Sequence, residues 1–391
     1  MAGGKKVVVV GGGVAGAHTA KFLQDFASVT LLDPKEYFEV PFAMLRSIVE
    51  PEFAERSLIL HTEYLKKARL VVSSAKSATD TEVVTTDGEK LPYDYLVIAT
   101  GSTYQGPSKR SERLQYFQSE NKKLKNASTI LIIGGGPVGV ELAGEIVVDF
   151  PEKKVILVHA GERLLEFLGP KASNKTLSWL KSKNVEVILN EKIDVSNLSD
   201  STTTYTTNTG RSITADTHFV AVGRKVGSSW IVGSVFKSLL DSDGRLKVDE
   251  SLRLEGKTNV FAIGDVANTK EIKQGYVAGK HAELVSENIK KLIKNPSSKL
   301  TTYKRMATPM AMVSLGRSLA VGQLPFGTIL GRIPGMIKSK DLFVGFTRKA
   351  LGVAERKDSL SDKGYALSSY KVYAVVAILV ASAAIIHQYT L

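Results

Sequence analysis

A β-branched strand running into a glycine-rich turn occurs twice in this chain, first at Gly11 and again at Gly134, an offset of 123 residues. That repeat limits the fold more than any other feature. The first copy, residues 6–16, reads KVVVVGGGVAG and places Gly11, Gly13 and Gly16 in a G-x-G-x-x-G. In such a turn the first glycine allows the sharp bend. The second lets backbone N–H groups approach a pyrophosphate, and the third lets the outgoing helix pack against the strand. The helix, expected from about Ala15, would present its N-terminus to the phosphates, where unpaired N–H groups and the macrodipole favour anions. Gly11, Gly12, Gly13, Val14, Ala15 and Gly16 therefore form one candidate cradle. The second copy, residues 129–139, reads TILIIGGGPVG, with Gly134, Gly136 and Gly139 in the same places and a helix expected over 140–150, stopped by Pro151. Two such units imply two dinucleotides.

The strands that follow the turns differ. Residues 29–32 read as a strand ending at Asp33, 22 residues after Gly11, where a carboxylate would accept hydrogen bonds from an adenosine ribose. The matching strand, 154–159, ends at His159 and runs into Ala160-Gly161-Glu162-Arg163. Neither the acid typical of NAD sites nor a clear arginine for the NADP phosphate stands there, so either NADH or NADPH can serve. Residues 93–102 read as a buried parallel strand ending in Thr100-Gly101, and 217–223 mirror it, ending at Gly223. Residues 259–267 read as a further buried strand that delivers Gly264-Asp265, before a helix expected over 274–293. Asp87-Gly88 between two short strands predicts a type I′ hairpin. Residues 106–126 read as a linker or surface helix.

Together these motifs resemble the two-dinucleotide FAD/NAD(P)H flavoprotein reductase superfamily. Ala43-Met44-Leu45-Arg46 and the segments 98–103 (IATGST), 275–282 (GYVAGKHA), 314–323 (SLGRSLAVGQ) and 338–344 (KSKDLFV) are similar to its apoptosis-inducing-factor-like, mitochondrion-associated branch, which includes the ferroptosis suppressor proteins. The resemblance covers roughly residues 6–350. It implies an α/β fold of two Rossmann-like, three-layer ββα nucleotide-binding domains, the NAD(P)H domain inserted in the FAD domain. A small C-terminal α+β domain and a C-terminal hydrophobic helix would complete the chain. The implied boundaries are 1–106 and 226–300 for FAD, 107–225 for NAD(P)H, 301–357 for the interface and substrate domain, 358–369 for a linker and 370–391 for the tail. By the same resemblance Asp265 hydrogen-bonds the ribityl chain of FAD, Arg46 contacts FAD, and the backbone at Val71 meets the adenine side. Thr100, Gly101 and Gly264 line the FAD site, while Gly134, Gly136, Gly139, Glu141 and Gly223 belong to the NAD(P)H site, with Glu141 toward the nicotinamide. Glu145 shares a helix face with Glu141, and that pair could equally be a solvated acidic face. A helix starting at Gln274 would aim its N-terminus at the flavin N1–C2 edge, which becomes anionic on reduction. Tyr276, beside it, is expected to pack in the core rather than touch the flavin.

The chain contains no cysteine, which excludes a redox disulfide, thiolate metal ligation and cysteine nucleophiles. The six histidines show no metal-ligand spacing, and no metal site is expected. Reduced flavin must then pass electrons directly to an acceptor. The resemblance implies a quinone head group: ubiquinone, vitamin K or a similar lipid quinone. Glu141, Tyr276 and Lys340 are the candidates for direct participation. The segment 338–343 is an equally good candidate for an amphipathic turn covering the sheet. A monodehydroascorbate reductase would share both nucleotide units, as would a flavoprotein of the apoptosis-inducing type with a signalling or DNA-binding role. The formal charge of +13 favours anionic partners. Its cations are spread along the chain, which argues against specific nucleic-acid binding, and a homodimer is left open. Residues 372–386 carry no charge and are flanked by Tyr370, Tyr373 and Tyr389. The 20 residues from Tyr370 to Tyr389 would make about 30 Å of helix, enough for a single-pass anchor with the catalytic part facing the cytosol. Mitochondrial outer membrane, endoplasmic reticulum, peroxisome and lipid droplet stay equal as destinations. The short N-terminus leaves no room for a signal or transit peptide, and Ala2 excludes N-myristoylation.

Overall fold

The structure, a computed structural model, describes residues 4–103, 106–223, 225–305, 310–324 and 327–354. The first unit is a five-stranded parallel sheet in the order Val260–Ala262, Tyr95–Ile98, Lys6–Val10, Ser28–Asp33, Arg69–Val72. Its central strands are apolar on both faces, as a covered parallel sheet requires: helices lie on one side, and on the other a three-stranded antiparallel sheet, Ala75–Ala78, Glu82–Thr85 and Lys90–Pro92, packs with the segment around Ile231, Phe236 and Leu246. Val7 to Val10 are all buried. Two helices, Val14–Leu23 and Gly275–Lys294, pack on one face. The second of these turns Val277, His281, Ala282, Val285, Ile289 and Leu292 inward at helical spacing. The second unit is a four-stranded parallel sheet in the order Glu186–Leu189, Lys154–His159, Thr129–Ile133, Thr217–Val220. Because Val260–Ala262 adds to the first sheet beside Tyr95–Ile98, the chain leaves the first unit, builds the second and returns. A three-stranded antiparallel sheet, Ala311–Leu315, Leu319–Leu324 and Gly327–Gly331, follows with the short helices Arg332–Ile337 and Val344–Leu351.

This last sheet docks on the second unit's helix, Pro137–Asp149. The approach is close because both surfaces offer glycine. A Cβ on Gly144 would lie 2.8 Å from the Gly316 nitrogen, and Gly316 itself turns the hairpin at φ +67°.

Several local expectations change. The helix expected over 140–150 begins three residues earlier, because Pro137 fits its first position behind the N-cap Gly136. The strand expected over 259–267 ends at Ala262, since Gly264 adopts φ +71° and opens a short 3-10 turn, Gly264–Val266. The strand expected over 217–223 ends at Val220. Residues 106–126 contain a helix, Arg110–Asn126. The hairpin at Asp87-Gly88 is not type I′, which needs positive φ at both central residues. Only Gly88 has it (φ +87°), and its N–H bonds to Thr85 O at 3.1 Å. The apolar segment 372–386 lies outside the described residues, as do 358–369. Among the described residues no helix is long and apolar enough to cross a membrane.

Candidate functional site

The two glycine turns are built alike, atom for atom. Gly11 N–H donates to Leu32 O and Gly134 N–H to Val158 O, both at 2.8 Å, tying each turn to the neighbouring strand. Gly11 has φ +99° and Gly134 +121°. A Cβ on Gly11 would lie 2.6 Å from Ala99 O, and one on Gly134 2.5 Å from Ala221 O. A Cβ on Gly16 would collide with Gly11 O, and one on Gly139 with Gly134 O, so both helices need their glycine to sit against the strand. The middle glycines differ from all of these. Gly13 and Gly136, the N-caps of their helices, face open space, with no atom within 4 Å of the place a Cβ would take. Each turn is thus a ring of forced glycines around one gap at a helix N-terminus, the shape an anionic pyrophosphate fits.

Asp33 ends its strand almost fully buried and accepts hydrogen bonds from Gly12 N–H and, at 2.8 Å, from Lys35 N–H. Burial alone would raise its pKa. The Lys35 ammonium 3.4 Å away, His61 and the Gly12 N–H outweigh it, and the carboxyl is held below its usual range. It is a fixed carboxylate, able to accept from ribose hydroxyls.

The third part comes from far along the chain. Gly264 lies against Ala15 of the first helix and Ala278 of the second, so Gly264-Asp265 sits where two helix N-termini converge. Burial raises the Asp265 pKa, opposed by Lys273 and Arg245. Among the described residues no group donates a hydrogen bond to its carboxylate. Thr100 Oγ1 is enclosed without a partner. A part-exposed carboxylate with no protein donor and an enclosed hydroxyl with no partner, on the segments that flank the first turn, fit a polar ligand such as a dinucleotide.

Gly264 is held by a chain of side chains that the sequence does not single out. Gly264 N–H donates to His281 Nδ1 at 3.1 Å, and His281 Nε2 lies 3.3 Å from Glu271 Oε1. The Tyr303 hydroxyl donates to Glu271 Oε2 at 3.0 Å. Burial pushes His281 down to about 4, against the pull of Glu271. The unfolded chain therefore takes up a proton on this residue between pH 6.5 and 4 that the folded chain refuses. Stability present above pH 6.5 is lost as pH falls through that window, by roughly 3 kcal/mol. Thermal melts from pH 7 to 4.5 should show the loss, and His281→Asn should flatten the slope; an unchanged slope would remove His281 from the account.

Other expected site residues find different partners. Arg46, 2 % exposed, donates to both oxygens of Glu145 (2.8 and 3.1 Å) and to Lys340 O at 3.2 Å. Glu141, also buried, accepts from Ser314 N–H at 2.9 Å and pairs with the buried Lys338. The Glu141–Glu145 face is therefore not solvated. It is an ionic seam joining the Pro137–Asp149 helix to the first unit and the C-terminal sheet, continued by Arg317 on Asp149 and Glu50. Neither Arg46 nor Glu141 lines an open cleft. Tyr276 is 54 % exposed rather than in the core, because it falls on the side of its helix opposite the buried Val277, Ala278, His281 and Ala282. Lys340 is exposed and engages Arg46 through its carbonyl, while Lys338 supplies the buried cation. Val71 is buried on the edge strand, and the strand expected over 93–102 covers only Tyr95–Ile98, so Thr100 and Gly101 (φ +55°) lie in the loop beyond it. Gly223 is exposed at the mouth of the second turn.

A family model for pyridine nucleotide-disulphide oxidoreductases matches residues 5–282, which contain both turns and Asp265. The chain belongs to that family. It is 34% identical over 368 residues to apoptosis-inducing factor homolog B of Dictyostelium discoideum, covering 87% of this chain and 95% of that one. It is also 34% identical over 369 residues to ferroptosis suppressor protein 1 of Taeniopygia guttata, covering 90% and 96%. Among solved structures, the sulfide:quinone oxidoreductase of Aquifex aeolicus superimposes with a TM-score of 0.70 over 89% of this chain and 92% of that one, at 18% identity, a likeness of fold. This pyridine nucleotide-disulphide oxidoreductase takes FAD and a nicotinamide nucleotide as cofactors. The disulphide in the family's name has no counterpart here, since the chain has no cysteine.

Proposed function

We propose that this oxidoreductase passes electrons from NAD(P)H through FAD to a lipid quinone at a membrane surface. The observation that carries the reading is the absence of cysteine from a chain with two intact dinucleotide turns. FAD, when bound, supplies the hydride and electron chemistry; without a protein disulfide, the acceptor has to reach it directly. On this reading Gly11–Gly16 and Asp33 hold the adenosine and pyrophosphate, and Asp265 accepts from the ribityl hydroxyls. The N-terminus of the Gly275–Lys294 helix would supply positive potential to the isoalloxazine edge that becomes anionic on reduction. The resemblance to the apoptosis-inducing-factor-like branch points to a quinone. The C-terminal helices support a membrane surface, leaving Ile333, Met336 and Phe346 exposed on segments that also expose Arg332, Lys340 and Lys349. Residues 372–386 would anchor the chain by a single pass.

Anaerobic protein reduced with NADH should be reoxidised faster by a short-chain ubiquinone analogue than by ascorbate radical. Reoxidation by the radical alone would overturn the quinone assignment in favour of a monodehydroascorbate reductase.

A further inference from the structure

The C-terminal sheet keeps one edge open. Gly327–Gly331 pairs in regular antiparallel register with Leu319–Leu324 and, among the described residues, with no strand on its other side. Alternate residues of an edge strand turn their N–H and C=O groups outward, and folded proteins ordinarily guard that row with a charge, a proline or a bulge. Thr328, Ile329 and Leu330 supply none of these. The ends are open too: a Cβ on Gly327 or on Gly331 would meet no atom within 4 Å. A helix walls the strand. Pro170–Ser182 packs against the last two strands of the sheet, and the N–H of its N-cap, Gly169, donates to Gln323 Oε1 at 2.5 Å. Between helix and strand lies a groove of about 480 Å³, lined by Asn174, Lys175, Ser178 and Trp179 of the helix and Leu330 of the strand. The helix residues stand at i, i+1, i+4 and i+5, so they share one face. Trp179 and Leu330 rest on the core yet stay part-exposed, which gives the groove an apolar floor. Its surroundings are cationic. The helix carries Lys171, Lys175 and Lys181, and Arg332 follows the strand; all four are exposed, and neither element contains Asp or Glu.

We propose that this groove binds an extended, acidic segment of a partner protein, which adds to Gly327–Gly331 as a fourth strand. The open edge supplies main-chain hydrogen bonds, and the pocket beside it selects side chains, as in other modes of strand addition. An apolar side chain of the segment sits on Trp179 and Leu330, and flanking carboxylates meet Lys175 and Arg332. Charge decides against the other occupants. Two copies of this chain joined edge to edge would set one cationic rim against another, with no acid in either element to offset it. A lipid chain would fill the apolar floor and leave the outward N–H groups without acceptors.

The test uses the FAD-loaded full chain in detergent and the capped heptapeptide EEVTVEE, with KKVTVKK as its control. Calorimetry should show binding of the acidic peptide alone, weakening as salt is added. Hydrogen–deuterium exchange within 327–331 should slow on the order of tenfold when that peptide is bound, because a fourth strand takes up the outward N–H groups. Lys175→Glu, at an exposed side chain, and Trp179→Ala should each weaken binding on the order of tenfold. FAD content and bleaching by NADH should stay at wild-type levels in both variants, which reports that they fold. No binding at millimolar peptide, equal binding of the two peptides, or binding that leaves exchange in 327–331 unchanged would overturn the proposal. Protection of the same amides in the free chain, by a second copy or by its own C-terminal residues, would overturn it as well.

Discussion

Gly13→Val should give a folded, colourless protein, and Gly136→Val a yellow protein that NAD(P)H no longer bleaches. Both glycines have φ −73°, open to any residue, and neither has an atom within 4 Å where a Cβ would stand. The side chain thus fits the empty protein without strain and fills the gap meant for the pyrophosphate. Each displaced phosphate forfeits charge-assisted hydrogen bonds worth about 1.5–3 kcal/mol apiece, so affinity should fall by at least about 100-fold. Substitutions at Gly16 or Gly139 would not separate binding from folding, because there the added carbon strikes the first glycine's carbonyl. Flavin absorbance after purification reads the first site; stopped-flow bleaching reads the second. If Gly136→Val lost its FAD, or Gly13→Val kept it, the assignment of the two turns would be wrong.

The second large effect lies in the ionic seam. Glu145→Ala leaves the Arg46 guanidinium buried opposite a cavity, with Arg317 losing a carboxylate 3.8 Å away. Breaking a buried pair from one side costs about 3–5 kcal/mol, far more than an exposed pair. The double variant Arg46→Met/Glu145→Leu should recover most of that loss, because no uncompensated charge remains. Urea unfolding of the three proteins distinguishes the outcomes. Equal midpoints for Glu145→Ala and the wild type would mean that the pair is solvated and the three layers are not joined through it.

Why the sequence shows the glycine turns, and not the partners of Arg46, follows from the range of the forces involved. A glycine turn is local: strand, bend and helix lie within eleven residues, and each glycine answers a clash within that stretch or with the adjoining strand. Asp33 is legible for the same reason, being the last residue of the next strand. Arg46 and Glu145 are 99 residues apart, and Glu141 and Lys338 are 197 apart. Nothing near either residue shows which partner the docked sheet will bring, so an ionic seam reads as a solvated face. His159 falls between these cases. The missing acid is visible in the sequence, but the ring's proton position depends on the Gly135 N–H, which only the folded turn aims at it. His281 lies in the segment GYVAGKHA, where its spacing marks only a buried helix face. Its bond to Gly264, 17 residues back, needs the helix and the sheet to be packed first.

The central claim is that electrons pass from NAD(P)H to flavin to acceptor with no protein redox group between. An anaerobic titration of the purified, FAD-loaded chain with NADH tests it most directly. One equivalent of NADH per FAD should bleach the flavin completely, and a quinone analogue should then restore the full spectrum. A requirement for two equivalents, or a colourless protein that cannot be loaded with FAD, would contradict the account.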